Sequence, residues 1–141
     1  MLAGSPASRW GPGATPWDGR SGSVMAAAAA GARAENDLVI GVHPNDTAGS
    51  ACPDLSAVIV THLGEARNPV IVWSAAAIIA IGGSWGTLPE IALAKRRGGI
   101  PVITLGGWTV LDHNSSPLPD PVSSATNPQH AVDLALAVQR R

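Results

Sequence analysis

Ala80-Ile81-Gly82-Gly83-Ser84-Trp85-Gly86-Thr87-Leu88-Pro89-Glu90 decides how the chain is read. The stretch leaves an apolar run, passes three glycines and enters a helix at Thr87. That helix closes in Lys95-Arg96-Arg97 and then Gly98-Gly99, the basic last turn and glycine stop expected of a C-terminus. Immediately upstream, Ala76-Ala77-Ile78-Ile79-Ala80-Ile81 reads as a buried strand, and immediately downstream so does Pro101-Val102-Ile103-Thr104-Leu105. Further out, Leu38-Val39-Ile40-Gly41-Val42 and Ala57-Val58-Ile59-Val60-Thr61 repeat the pattern. Their continuous apolar character predicts a sheet covered on both faces. Helices are expected over Ser23 to Ala34, where alanine dominates, and from Asn68-Pro69, with Asn68 as N-cap. A last helix is expected over Gln129 to Arg141, whose apolar stripe is Ala131, Leu134, Ala135 and Val138. The Pro- and Ser-rich segment Asp112 to Thr126 reads as loop. Strands alternating with helices predict an α/β fold, three layers α/β/α around a mostly parallel sheet.

Composition narrows the function classes. The 141 residues carry nine Lys and Arg against ten Asp and Glu, a formal net charge of −1. Sequence-independent nucleic-acid binding needs a basic surface, so nucleic acid is a poor partner. Apolar residues reach 45% and charged residues only 13%, which predicts a folded core rather than disorder. There is no Phe and no Tyr, but there are five Trp, so the core must be built from small and β-branched side chains around a few indoles. The lone Cys52 excludes an intramolecular disulfide or a Cys-based metal cluster. The start, Met1-Leu2-Ala3-Gly4-Ser5-Pro6, lacks the basic and apolar regions of a secretion signal. The most apolar run, Pro69 to Gly83, is shorter than the roughly 20 residues of a membrane span. A cytoplasmic protein with no membrane partner is therefore expected. Residues 1–18 are expected to be an irregular lead-in, and residues 19–141 the folded domain.

In open parallel sheets, ligands bind beyond the C-terminal ends of the strands. This rule selects His43 to Asp46, His62 to Arg67, Gly82 to Glu90 and Gly106 to Asp112. Among these, Gly82 to Glu90 stands out. Glycines admit a ligand close to the backbone, and the helix start adds unpaired N–H groups and a partial positive charge. A phosphate is the expected occupant. The pattern is neither Gly-x-Gly-x-x-Gly nor a P-loop, since no Lys follows the last glycine; the glycines could also form no more than a tight turn. Thr87-Leu88-Pro89-Glu90 has capping-box spacing, so Glu90 is either a cap for its own helix or a catalytic carboxylate. Arg67 is either an anion contact or a solvated surface arginine. Trp85 and Trp108 either stack on a planar ligand or cover the end of the sheet. His43, His62 and His113 stand apart from one another, and no metal-ligand spacing is present. Cys52 lies in a polar loop without an activating neighbour.

The motif Gly82-Gly83-Ser84-Trp85-Gly86-Thr87-Leu88-Pro89-Glu90 resembles the Gly-Gly-x-Gly-Thr-x-x-Glu signature of the Lonely Guy (LOG)-like Rossmann superfamily, whose members were once labelled lysine decarboxylases. Gly64-Glu65-Ala66-Arg67-Asn68, and Gly19 to Met25 followed by an Ala-rich helix, resemble its molybdenum cofactor carrier branch. The likeness runs from about Gly19 to Trp108. It implies that Gly82, Gly83, Ser84, Trp85, Gly86 and Thr87, with Gly22 of the first glycine-rich turn, bind a phosphorylated small molecule. That ligand would be a nucleotide or a molybdenum-cofactor-type pterin. In the phosphoribohydrolase members, the positions of Arg67 and Glu90 serve catalysis. The likeness also implies a homo-oligomer. The sequence departs from the pattern at Pro89, where hydrolases commonly carry a second acidic residue, and at Ser23, which replaces a glycine. It also lacks the usual β-α-β unit of at least roughly 30 residues ahead of Gly19. The expected function is a carrier of a phosphate-bearing ligand. The alternatives are a nucleoside 5′-monophosphate phosphoribohydrolase and, third, a DNA-processing or scaffold protein.

Overall fold

The computed structural model describes residues 21–44 and 53–137. The expected lead-in, Cys52 and Val138 lie outside the described residues. In chain order the elements are α1 (Ser21–Ala34), β1 (Ile40–His43), β2 (Ala57–Val60), a 3-10 turn (Gly64–Arg67), α2 (Asn68–Ser74) and β3 (Ile78–Ile81). They continue with α3 (Thr87–Arg97), β4 (Val102–Leu105), β5 (Ser123–Ala125) and α4 (Pro128–Ala137). Every strand pairing is parallel, but the strands form two sheets: β1-β2, and β3-β4-β5. The single sheet expected from the sequence is thus divided, because β1 hydrogen-bonds to β2 alone and β3 to β4 alone.

The three-stranded sheet is the core. Successive residues of β3 point to opposite faces, and each face has its own helical cover. Ile79 and Ile103 pack with Ala125, Ala131, Val132 and Ala135 beneath α4. Ile78 and Val102 pack with Val72, Ala75 and Ala94 beneath α2 and α3. This is the α/β/α layering predicted from the sequence. Its small side chains let the helices sit close, as a core without Phe or Tyr requires. The β1-β2 sheet differs. Ile40 and Ile59 are about half exposed, so continuous apolar character did not mean burial on both faces there.

Several boundaries shift for physical reasons. β5 lies within the predicted loop, where Ser123-Ser124-Ala125 pairs with Ile103-Thr104-Leu105; two serines carry no apolar signal. α1 starts at Ser21, so Ser21 and Gly22 belong to the helix rather than to a turn before it. Asn68 is not an N-cap. The 3-10 turn runs straight into α2, and the Asn68 N–H donates to the Glu65 carbonyl instead. Among the described residues, no helix is long and apolar enough to cross a membrane.

Arg97 joins α3 to the end of α2. Its Nη1 donates to the carbonyl of Val72 and, at 2.8 Å, to that of Ala75, while its guanidinium lies 5.3 Å from the centre of the Trp73 ring. Hydrogen bonds from a charged donor contribute more than neutral ones. Arg97→Met is expected to lower stability by about 2 kcal/mol, read as a lower urea midpoint with an unchanged slope.

Candidate functional site

The chain leaves β3 through Gly82 at φ +72°, a left-handed conformation that glycine adopts without strain. The Gly82 N–H donates to the Leu105 carbonyl at 3.0 Å, the last bond holding the turn to β4. A second glycine pair, Gly106-Gly107, leaves β4 alongside, and the two turns touch. A Cβ on Gly83 would lie 2.9 Å from the Trp108 backbone nitrogen and 3.0 Å from the Gly107 Cα. A Cβ on Gly107 would strike the Gly82 carbonyl oxygen and lie 2.9 Å from the Gly83 nitrogen. Two strand exits are thereby packed backbone on backbone. Gly86 is different: a Cβ there would meet only the Ser84 Oγ, at 3.6 Å.

α3 begins where the sequence placed it, but its cap is not the one expected. Gly86 is the N-cap, and Thr87 is the first helical residue. The Thr87 N–H donates to the Ser84 carbonyl at 3.0 Å and to the Ser84 Oγ at 3.2 Å. The Ser84 and Thr87 hydroxyls are 3.0 Å apart. Thr87 therefore neither caps the helix nor closes a capping box with Glu90, because Ser84 already takes the N–H groups of Thr87 and Leu88. Among the described residues, no acceptor takes the N–H groups of Gly83, Ser84, Trp85 and Gly86, and all four residues are exposed. Amides without a partner among the described residues, next to a helix start, are the kind of donors that favour an anion.

Gly82, Gly83, Ser84 and Thr87 line a shallow, open surface pocket, with Leu88, Ile91, Thr104 and Trp108 on its other walls. The Trp85 and Trp108 rings meet edge to face, their centres 4.9 Å apart and their planes at 73°. Arg67 and Glu90 do not line this pocket. They are close enough for the Arg67 charge to act on the Glu90 carboxyl. The Arg67 Nη1 donates to the Val42 carbonyl at 2.8 Å, which ties it to the end of β1. Glu90 is only 8% exposed, and burial pushes its pKa above the ordinary value of 4.5, with Arg67 pulling it partly back. Beside Arg67, Asn68 is equally buried. Gly22 lies in the first turn of α1. His43 ends β1 with a buried Nδ1 that has no hydrogen-bond partner.

The Glu90 carboxyl predicts a pH signature. Because its pKa is higher folded than unfolded, the protonated form stabilises the fold fully below the unfolded value of about 4.3. That contribution is lost as pH rises through the folded value. Glu90→Gln, which keeps the neutral shape, is expected to raise the melting temperature by a few degrees at pH 7 and to change it little at pH 4. Thermal melts across pH check this; an equal shift at both pH values contradicts it.

The sequence pointed to the turn but missed the pocket's other walls, Leu88, Ile91 and Thr104. It also missed the role of Gly107 as the surface against which Gly82 and Gly83 pack. A signal for the latter was present, since a Gly-Gly pair directly follows each of two adjacent strands, at 82–83 and at 106–107.

Comparison with known proteins gives a consistent picture. The sequence profile of the SLOG cluster4 family matches residues 18–132. A protein of Archaeoglobus fulgidus is 40% identical over 82 residues, which are 57% of this chain and 53% of that one, so the chain spans about half the length of this relative. The molybdenum cofactor binding protein from the phototrophic bacterium Rippkaea orientalis superposes with a TM-score of 0.67 at 31% identity, over 82% of this chain and 71% of that one. The molybdenum cofactor carrier protein of Chlamydomonas reinhardtii superposes with a TM-score of 0.65 at 29% identity, over 87% of this chain and 75% of that one.

Proposed function

The chain belongs to the SLOG cluster4 family, and on that premise we propose that it is a carrier that holds a phosphate-bearing small molecule, a nucleotide or a molybdopterin-type cofactor, at the turn Gly82–Thr87. The observation that carries this reading is the run of unpaired, exposed amides from Gly83 to Gly86 at the start of α3. Backbone amides held in place by the Gly83–Gly107 contact need no reorganisation when a phosphate arrives, and the helix dipole favours its charge. The residues present fit the phosphate end of such a cofactor: space opens above Gly86, and hydroxyls stand at Ser84 and Thr87. The two structural neighbours bear names that describe molybdenum cofactor binding and carriage, which supports the choice of ligand.

A second reading, hydrolysis of nucleoside 5′-monophosphates, is favoured by one observation, the buried Glu90 carboxyl beside the Arg67 charge. A carboxylate there would stabilise a cationic sugar transition state. One feature favours the carrier: Arg67 is already engaged by the Val42 carbonyl. Titration calorimetry with AMP, GMP and a phosphorylated pterin, paired with an assay for released base, separates the readings. Binding without base release supports the carrier. Steady release that disappears in Glu90→Gln establishes the hydrolase.

The same reading includes a cytoplasmic location and self-association. Ile40 and Ile59 of the β1-β2 sheet, with Leu38 just ahead of β1, have exposed apolar side chains, a surface that a second copy would cover. Light scattering at micromolar concentration should report a dimer or larger; a monodisperse monomer contradicts that part.

A further inference from the structure

The hydrophobic core is drawn from one part of the chain. Both buried clusters, and the partly buried side chains packed against them, lie between Val72 and Leu136. Among the described residues, α1, β1, β2 and the 3-10 turn contribute nothing to either cluster. Their buried apolar residues are Ala29 and Ala32 alone, whereas Leu38, Ile40, Ile59 and Leu63 are about half exposed or more. Polar bonds nevertheless hold these elements to one another. The Arg33 Nη1 donates to the Ser56 Oγ at 3.4 Å, tying α1 to the start of β2. The Thr61 N–H donates to the His43 carbonyl at 3.0 Å, and the Gly64 N–H to the Pro44 carbonyl at 3.1 Å, which fastens the 3-10 turn to the end of β1. The N-terminal unit is thus bonded within itself and shares no apolar core with the rest. Elements that bury little apolar surface open at a lower free energy than the core does.

Arg67 stands at the junction, as the last residue of the 3-10 turn and the N-cap position of α2. The Val39 and His43 carbonyls of the first strand face β2, so by the alternation of a parallel ladder the Val42 carbonyl faces the other, unpaired edge. Arg67 fills that edge with its 2.8 Å bond to Val42. Across the junction, the Ile78 and Gly82 N–H groups bond to β4, and the edge of β3 that faces away from β4 has no ladder partner among the described residues. Asn68 and Glu90, the two buried polar residues among those described, lie at the same place: Asn68 follows Arg67, and the Arg67 charge reaches Glu90.

We infer that α1, β1 and β2 open away from the β3-β4-β5 core as one unit, that the Arg67–Val42 hydrogen bond is the latch, and that opening uncovers the Glu90 carboxyl. A charged donor makes the latch stronger than a neutral bond would be, and its loss frees the unit without touching either core cluster. The turn Gly82–Thr87 lies wholly on the core side, so it keeps its geometry open or closed, and the inference stands apart from what binds there. The latch controls access to one buried carboxyl without dismantling the fold.

Native-state hydrogen exchange of the full chain over a series of low urea concentrations, followed residue by residue by NMR, tests the unit. The Thr61 amide and the amides of α1 should share one opening and be at least about tenfold less protected than those of Ile78 and Gly82. Arg67→Met should lower protection of the first group at least about tenfold further and leave the second unchanged. Arg67→Lys, which keeps a charged donor, should fall between. Carbodiimide labelling of carboxyls, read by mass spectrometry, should reach Glu90 faster in Arg67→Met than in wild type, while exposed Asp133 labels at the same rate in both. Equal protection of the two groups in wild type overturns the separate unit. Unrelated rates within α1, β1 and β2, with no shared urea dependence, reduce the opening to fraying and overturn it as well. Protection lost from both groups in Arg67→Met, or from neither, overturns the latch. Glu90 labelling that is no faster in Arg67→Met overturns the uncovering.

Discussion

Gly107→Val is expected to lower the urea midpoint of unfolding sharply. Gly107 sits at φ +93°, a conformation in which a β-branched residue is strained by about 1–3 kcal/mol. Strain is the smaller part of the effect. The new Cβ would strike the Gly82 carbonyl oxygen and crowd the Gly83 nitrogen, both backbone atoms, which cannot swing away as a side chain would. Relief requires the two strand exits to separate, and that breaks the Gly82 N–H bond to the Leu105 carbonyl at the top of the core sheet. A total cost of about 3–5 kcal/mol is expected, a large share of the about 5–15 kcal/mol that holds an ordinary domain together. Urea unfolding followed by circular dichroism checks it. A Gly107→Val protein with a wild-type midpoint contradicts the close packing of the two turns. Gly107→Ala, with a smaller side chain on the same backbone, should fall in between.

Gly86→Val has the opposite profile: a nearly intact fold and a ruined site. Gly86 has φ −76° and ψ −30°, which any residue adopts, and a Cβ there meets nothing nearer than the Ser84 Oγ at 3.6 Å. The fold should lose no more than about 1 kcal/mol, the scale of an N-cap change. A valine would nevertheless fill the space directly over the free amides, where a phosphate would approach. Affinity for GMP should fall at least about a hundredfold, because a displaced phosphate loses several charge-assisted bonds together. Calorimetry beside a thermal melt reads both halves. Gly83→Val is a poorer probe of the same idea, since its Cβ would collide with Trp108 and Gly107 and would mix unfolding with lost binding.

The contrast between these glycines shows what was legible in the sequence. The Gly82-Gly83-Ser84-Trp85-Gly86-Thr87 run marked a strand-to-helix turn at the ligand end of a parallel sheet, and the fold bears out the α/β architecture and the start of α3. Which glycine packs and which leaves room was not legible, because that depends on Gly107, which is distant in sequence and adjacent in space. The capping of α3 was not legible for a similar reason. Thr87-x-x-Glu90 has the right spacing, but Ser84, one turn earlier, takes the N–H groups first, and Glu90 is buried. The division into two sheets and the short β5 were also beyond the pattern. Strand partners are chosen by tertiary contact, and Ser123-Ser124-Ala125 has no apolar alternation to read. Arg67 and Glu90, singled out as a pair by resemblance, do lie within electrostatic reach of each other, though outside the pocket that the turn lines.

The central claim is that the amides of Gly83, Ser84, Trp85 and Gly86 receive the phosphate of the ligand. It is tested most directly by following backbone amide resonances of the ¹⁵N-labelled protein during titration with GMP. The predicted result is saturable downfield shifts that are largest at these four residues, reproduced in direction by ribose 5-phosphate and absent with guanosine. Shifts that are largest elsewhere, or equal with guanosine and GMP, would contradict it.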